Sequence, residues 1–283
     1  MVREQERDGR PPSEGAALDE LLTTAVEVAR QAAEVASEAR ENALRQIRTK
    51  SSETDMVTSG DQATEQFVRR RLAELRPGEP MLGEEEDGDA EEAVVATGLR
   101  WVVDPIDGTV NYVYGYPWYA VSIAAEFDGV PVAGAVVEPV SGRVWSAARG
   151  RGAALDGTPL RASACSRLDL TMVATGFSYQ PDRRRRQAAM IAALLPRVRD
   201  VRRGGSAALD LCAVAAGWVD GYVEHGLHRW DWAAAALIAV EAGAVVRLPG
   251  GHSDMGRDSV FAAAPGIVDK LGAALIDCGT AQV

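Results

Sequence analysis

The apolar segments of this chain change rhythm along its length, and that change constrains the fold more tightly than any other feature. From Leu18 the apolar positions Leu21, Leu22, Ala25, Val28, Ala29, Ala32 and Val35 recur at helical spacing, which predicts an amphipathic helix to about Arg45. The segment TKSSETDMVTSGD reads as a loop. A second helix is expected from near Asp61, with Phe67, Val68, Leu72 and Leu75 on one face and Arg76-Pro77-Gly78 as its stop. Strand-length runs follow at Arg100–Val103, Tyr119–Phe127, Val132–Val137, Arg143–Ala147 and Gly152–Leu155, with Asp128-Gly129 as a hairpin turn. Beyond about Thr171 strands and helices alternate: strand Met172–Thr175, helix Asp182–Leu195, strand Val198–Val201, helix Ser206–Ala216 and a short strand at Tyr222 and Val223. Helix Asp231–Glu241, stopped by Gly243, and strands near Val245 and Phe261 complete the series. This order predicts an α+β fold, a layered αβαβα sandwich of two sheets interleaved with helix layers. The expected organisation is a disordered tail over residues 1–15 and one catalytic domain over 16–283. Its α+β half spans about 16–165 and its α/β-like half about 166–283.

Composition narrows the function classes. A chain of 283 residues is long enough for a large core without staples. Its 41 Asp and Glu against 30 Lys and Arg give a net charge of −11, a poor match to the nucleic-acid backbone, so no nucleic-acid partner is expected. The three cysteines, Cys165, Cys212 and Cys278, form no CxxC pair, which argues against a disulfide framework or zinc cluster and for a reducing cytoplasm. The polar start MVREQERDGRPPSEG is unlike a secretory signal, and no apolar run approaches the about 20 residues that span a bilayer, so no membrane association is expected.

The excess of acid is clustered. Asp61, the pair Glu84 and Glu85, Asp104 and Asp107 within DPIDGTVN, and Asp231 within RWDW each stand beside a strand end or a helix start. The DPIDG segment is the most informative of these. Val102 and Val103 read as buried strand, Pro105 withdraws a donor and stops the ladder, and Gly108 permits a tight turn. Asp104, Asp107 and the Ile106 carbonyl can then share one small space. Carboxylates so close raise one another's pKa values unless a cation neutralises them, and Mg²⁺ takes such hard oxygen ligands. Taken singly, DPxDG is often a plain turn, two glutamates in an acidic loop are usually solvated, and Asp231 can simply cap its helix. Their occurrence together, in one order at the ends of apolar segments, favours a shared site.

Lys50-Ser51-Ser52 with VTSGD, then GEE, then WVVDPIDGTVNYVYGYPWYAVSIA, then YVEHGLHRWDWAAAALIAVEAGA, resembles the inositol monophosphatase family over about residues 20 to 275. The resemblance implies a lithium-sensitive, magnesium-dependent phosphomonoesterase that hydrolyses myo-inositol monophosphate with metal-activated water, commonly as a homodimer, with two to three Mg²⁺ per site. Carried onto this sequence, Glu84, Asp104 and the Ile106 carbonyl would hold one ion. Asp104, Asp107 and Asp231 would hold a second, and Glu84, Glu85 and Asp61 a weaker third. Gly108 and Thr109 match the phosphate cradle; Asp61 would accept from the Thr109 hydroxyl, and Thr109 with Glu84 would orient the attacking water. Gly205, Ser206, Ala207 and Glu224 match positions that contact the polyol, with Asp107 and Asp231 beside them.

Phosphoryl transfer suits such a site, because it needs charge neutralised and a nucleophile positioned rather than covalent help. Val110 departs from the threonine often found in the family, and Lys50 matches a family lysine near the metal loop. Arg183 to Arg186, with arginines at 197, 199, 202 and 203, reads as a solvated face with ion pairs, against attraction of an anionic substrate or a partner. Trp118 and Trp230 read as walls of the site and Cys212 as core. The competing readings are a phosphatase for fructose 1,6-bisphosphate, NADP, histidinol phosphate or an adenosine bisphosphate, or a regulatory binding protein of the same fold.

Overall fold

The computed structural model describes residues 15–47, 53–87, 97–251 and 253–283; of the tail expected over 1–15 only Gly15 is among them, and it opens the first helix, while Lys50 lies outside them. The first periodic segment forms α1 (Gly15–Ile47), which buries Leu21, Ala25, Val28, Ala29 and Ala32. α2 (Glu53–Leu75) starts well before Asp61, so that residue lies inside the helix rather than at its start. Ser, Thr, Asp and Gly are weak helix formers and hid this extension. Gly60 is there for close packing: a Cβ on it would lie 2.6 Å from the Tyr112 hydroxyl.

β1 (Met81–Gly83) and the single turn α3 (Glu84–Asp87) follow, then β2 (Leu99–Asp107) and the short helix α4 (Thr109–Tyr114). β2 corrects the expectation that Pro105 ends the ladder. The strand runs on to Asp107, which pairs with Ala120, through an irregularity between Asp104 and Asp107 that absorbs the missing donor. A meander of β3 (Ala120–Phe127), β4 (Val130–Val137), β5 (Val144–Ala148), β6 (Ala153–Leu155) and β7 (Thr158–Pro159) completes a sheet in the order β1 to β7. Asp128 and Gly129, at φ 49 and 73°, make the tight turn between β3 and β4.

The alternating half contributes β8 (Met172–Thr175), α5 (Pro181–Leu194), β9 (Asp200–Arg202), α6 (Ala207–Ala215), β10 (Gly221–His225) and α7 (Arg229–Glu241). β11 (Val245–Arg247), β12 (Ser259–Ala263) and α8 (Val268–Asp277) follow. Here the strand order is β11-β12-β10-β8-β9. α8 lies beyond the last element expected from the pattern, although Val268, Leu271 and Leu275 carry helical spacing.

Strand alternation sorts the side chains into layers. Trp101, Val103, Val121 and Ile123 pack on α1 and α2, while Val102, Ala120 and Ala124 face α6 and α7. Ala174, Tyr222, Val260 and Ala262 close on α6 and α7 from the second sheet, and Val173, Val223, Phe261 and Ala263 meet α5 and α8. The layers are therefore αβαβα. The central helices are largely apolar, as burial between two sheets favours; every residue of α6 is buried, Asp210 and Cys212 included. Gly134 lets α7 approach the first sheet, since a Cβ there would lie 3.0 Å from the Ala234 Cα. No helix among the described residues is long and apolar enough to cross a membrane.

Candidate active site

The site lies where strand ends and helix starts converge. β1 and β2 pair in parallel with Gly83 opposite Val103, so Glu84 leaves the sheet beside Asp104, which is still within β2. β8 and β10 are also parallel, and their C-terminal ends bring Phe177 and Glu224 into the same space. α4, α6 and α7 begin there, and the positive ends of their dipoles favour negative charge. The resulting cavity, about 320 Å³, is lined by Glu84, Asp104, Ile106, Asp107, Gly108 and Thr109 on one part of its wall. Gly205, Ala207, Glu224 and Asp231 also line it, joined by Phe177, Arg203 and His228.

Asp104, Asp107 and Asp231 each offer a carboxylate oxygen, and the three oxygens lie within 4.8 Å of one another. Burial, then the charge of Glu84, pushes Asp104 well above the usual carboxylate range. Burial, then Asp107, does the same to Asp231. Glu84 is pushed up to about 7 by burial and by Glu85, and Asp61 to about 8 by burial, Glu85 and Glu84. Glu85 is raised by burial and by Glu65. Asp107 reaches only about 6: burial raises it, while Ser206 and the Ala207 and Ala208 amides hold it down. The Oδ2 atom of Asp61 is buried without a hydrogen-bond partner. Clustered hard oxygens at this charge density are the donor set of a divalent cation, and the residues present fit one.

Several placements differ from expectation. The Thr109 hydroxyl donates to the Ile106 carbonyl at 3.1 Å, and Asp61 is not its acceptor. Ser206 does not line the cavity. Its hydroxyl donates to Asp107 and accepts the Leu209 N–H, while the Ala207 and Ala208 N–H groups reach Asp107 at 3.2 and 2.8 Å. The start of α6 therefore grips a carboxylate of β2 at the cavity wall, where Gly205 and Ala207 also stand. Asp231 is the third residue of α7 rather than its N-cap, and it takes part in capping the helix: it accepts the N–H of the N-cap residue His228 at 2.6 Å while it also lines the cavity. Glu84 opens a helical turn rather than a solvated loop. Trp118 and Trp230 are not part of the cavity wall; Trp230 is buried and stacks on His228 with ring centres 4.8 Å apart. Gly108, at φ 93°, turns the chain into α4, and a Cβ there would lie 3.0 Å from the Gly205 carbonyl.

Much of the basic region is paired within the chain. Arg183 meets Asp258 at 2.5 Å, Arg185 meets Asp182 at 2.7 Å, Arg197 meets Asp277 at 3.1 Å and Arg202 meets Asp200 at 2.5 Å. Arg203 alone of that group lines the cavity. Sequence reasoning gave neither Arg203 nor His228 a place in the site. It also passed over Glu65, which its position one turn after Asp61 on a helix could have revealed.

The inositol monophosphatase family profile matches residues 17–280. The inositol-1-monophosphatase of Mycobacterium leprae is 56% identical over 235 residues, 81% of each chain. The solved structure of Mycobacterium tuberculosis SuhB superposes with a TM-score of 0.80 at 45% identity, covering 95% of this chain and 99% of that one. The Nus factor SuhB of Pasteurella multocida is 38% identical over 260 residues, 90% of this chain and 95% of its own. A carboxylate-lined cavity at the meeting of strand ends and helix starts, in a fold shared with these proteins, marks the chain as an enzyme, a phosphoric monoester hydrolase. It belongs to the inositol monophosphatase family.

Proposed function

We propose that the enzyme hydrolyses myo-inositol monophosphate to inositol and phosphate in this cavity, with Mg²⁺ as its cofactor. The observation that carries the reading is the convergence of Asp104, Asp107 and Asp231 in one small cavity that Glu224 also lines. Glu84, Asp104 and the Ile106 carbonyl would hold one ion, Asp104, Asp107 and Asp231 a second, and Glu84, Glu85 and Asp61 a third. Bound Mg²⁺ supplies charge neutralisation for the phosphate and lowers the pKa of a coordinated water. The chain's own groups do the positioning. Gly108 and Thr109, at the start of α4, offer backbone N–H groups to the phosphate oxygens. Thr109 commits its proton to the Ile106 carbonyl, which leaves its oxygen lone pairs to orient a water together with Glu84. Glu224 accepts the Tyr222 hydroxyl on Oε2 at 2.7 Å and keeps Oε1 for a hydroxyl of the polyol. Gly205 and Ala207 border that end of the substrate.

The test is phosphate release from inositol 1-phosphate with millimolar Mg²⁺, repeated with EDTA and with fructose 1,6-bisphosphate, NADP and histidinol phosphate. Mg²⁺-dependent release with inositol 1-phosphate preferred is the expected result. A tenfold higher kcat/KM for any other ester discards the substrate. Glu224→Gln is expected to raise KM for inositol 1-phosphate by roughly tenfold, about 1–2 kcal/mol for one hydrogen bond to a charged group, with kcat nearly unchanged. An equal loss on every ester would make Glu224 structural instead. A homodimer, lithium inhibition and a cytoplasmic location belong to the same reading. The Nus factor name of the Pasteurella relative favours a second role as a regulatory binding protein, for which metal-dependent capture of RNA polymerase is the test.

A further inference from the structure

We propose that Glu65 is a positioning residue that sets the cation affinity of the site by fixing the Glu84-Glu85 turn against α2. The proposal rests on the cation site described above. Glu65 follows Asp61 by one helical turn and is fully buried, at 0% exposure. Its Oε2 accepts the Glu85 N–H at 2.7 Å and its Oε1 the Glu86 N–H at 3.2 Å. Arg69, on the same helix, pairs with Oε1 at 2.8 Å.

These two amides are leading donors of α3, which no carbonyl within the turn can satisfy. Such donors ordinarily bond to the side chain of the residue just before the helix. Here that residue is Gly83, which has no side chain, and the structure shows why. A Cβ on Gly83 would lie 2.5 Å from the Glu65 Cδ and Oε1 atoms. The cap has been transferred to a carboxylate eighteen positions earlier in the chain, and the glycine is the space it occupies. This placement sets a fully buried carboxylate beside an acidic turn, where like charges repel. A buried acid kept beside an acidic turn, at the expense of repulsion, is accounted for by the two N–H bonds that hold the turn. α2 thereby carries Asp61 toward Glu84 and Glu85 and locks those two residues with the same face. Groups that orient metal ligands without touching the metal commonly change affinity by about 10–100-fold when lost.

Glu65→Gln keeps the volume of the side chain but presents an NH₂ to one of the two N–H donors. Gly83→Ala leaves Glu65 in place but pushes its carboxylate off the amides. Each is expected to weaken Mg²⁺ binding measured by calorimetry about tenfold, and to raise the Mg²⁺ midpoint for phosphate release equally. At saturating Mg²⁺, kcat should return to within about threefold of wild type. The coupling is specific: in a Glu65→Ala background, Gly83→Ala should add no further loss, because the group it strikes is gone. Unchanged Mg²⁺ affinity in folded Glu65→Gln and Gly83→Ala, or losses that multiply in the double variant, would overturn the proposal. A wild-type protein that binds no Mg²⁺ would instead overturn the cation site itself. A wild type that binds Mg²⁺ but spares inositol 1-phosphate leaves the calorimetric comparison intact.

Discussion

Asp104→Asn is expected to abolish phosphate release and to raise the melting temperature of the cation-free protein at pH 8. Both effects have one origin. Asp104 is 1% exposed, shares the space of Asp107 and Asp231, and is raised first by burial and then by the charge of Glu84. Without a cation, each of these neighbours repels a charged Asp104. Asn has the same shape, keeps an oxygen for the Ile106 N–H now at 3.0 Å, and offers an NH₂ to the surrounding carboxylates. For a chain of this size each kcal/mol of relief is worth about 2–4 °C in Tm. Burial and then Glu84 raise Asp104 well above its usual range, so it takes up a proton as pH falls and the gain should shrink. In saturating Mg²⁺ the order should invert, because the wild type gains binding energy that the variant forfeits. Thermal melts of both proteins at pH 5 and 8, with and without Mg²⁺, measure all four corners. Undiminished turnover, or a lower Tm at pH 8 without Mg²⁺, would remove Asp104 from the site.

What could be read from the sequence followed how local each contact is. Asp104 and Asp107 stand out because an apolar strand, a proline and a glycine surround them within eight residues, and short-range chemistry suffices. Glu84 reaches the site through the parallel pairing of a three-residue strand, and that strand has too few side chains to show a period. Ser206 and Ala207 were legible as the start of a helix. Their acceptor, Asp107, lies about a hundred residues away, and no pattern around residue 206 announces that an acid will occupy the amides. The Thr109 hydroxyl fails for a related reason: the bend in β2 presents the Ile106 carbonyl to it before Asp61 can compete. The Arg183–Arg186 run shows the limit of charge counting, since Asp258, seventy-five positions on, neutralises the arginine nearest the cavity wall at Gly226.

Removal of divalent cations should make stability fall steeply as pH rises from 5 to 8.5, the reverse of an ordinary acid-sensitive protein. In the folded, cation-free chain burial and neighbouring acids place Asp61 at about 8 and Glu84 at about 7, and burial, offset in part by hydrogen bonds, places Asp107 at about 6. Glu224 stands at about 7 through burial. Unfolded carboxylates titrate near pH 4, so between pH 4 and 8 the folded state binds more protons than the unfolded one. Stability then decreases with rising pH, fully present below the unfolded values and lost as the folded values are passed. One pKa unit of difference is worth about 1.4 kcal/mol, so with several groups acting the Tm should drop on the order of 10 °C across this window. His225, held below its usual value by burial, acts in the opposite direction but is one group against four. Asp169 and Asp200, lowered by Arg167 and Arg202, also oppose the trend, but they titrate below this window. Saturating Mg²⁺ should flatten the slope or reverse its sign, because the ion then replaces the protons that the carboxylates need. Scanning calorimetry across pH, in EDTA and in Mg²⁺, reads the two slopes directly. A cation-free Tm that rises with pH over this range would mean that the acids at strand ends are neutralised by the protein itself, and that the cavity was not built around a cation.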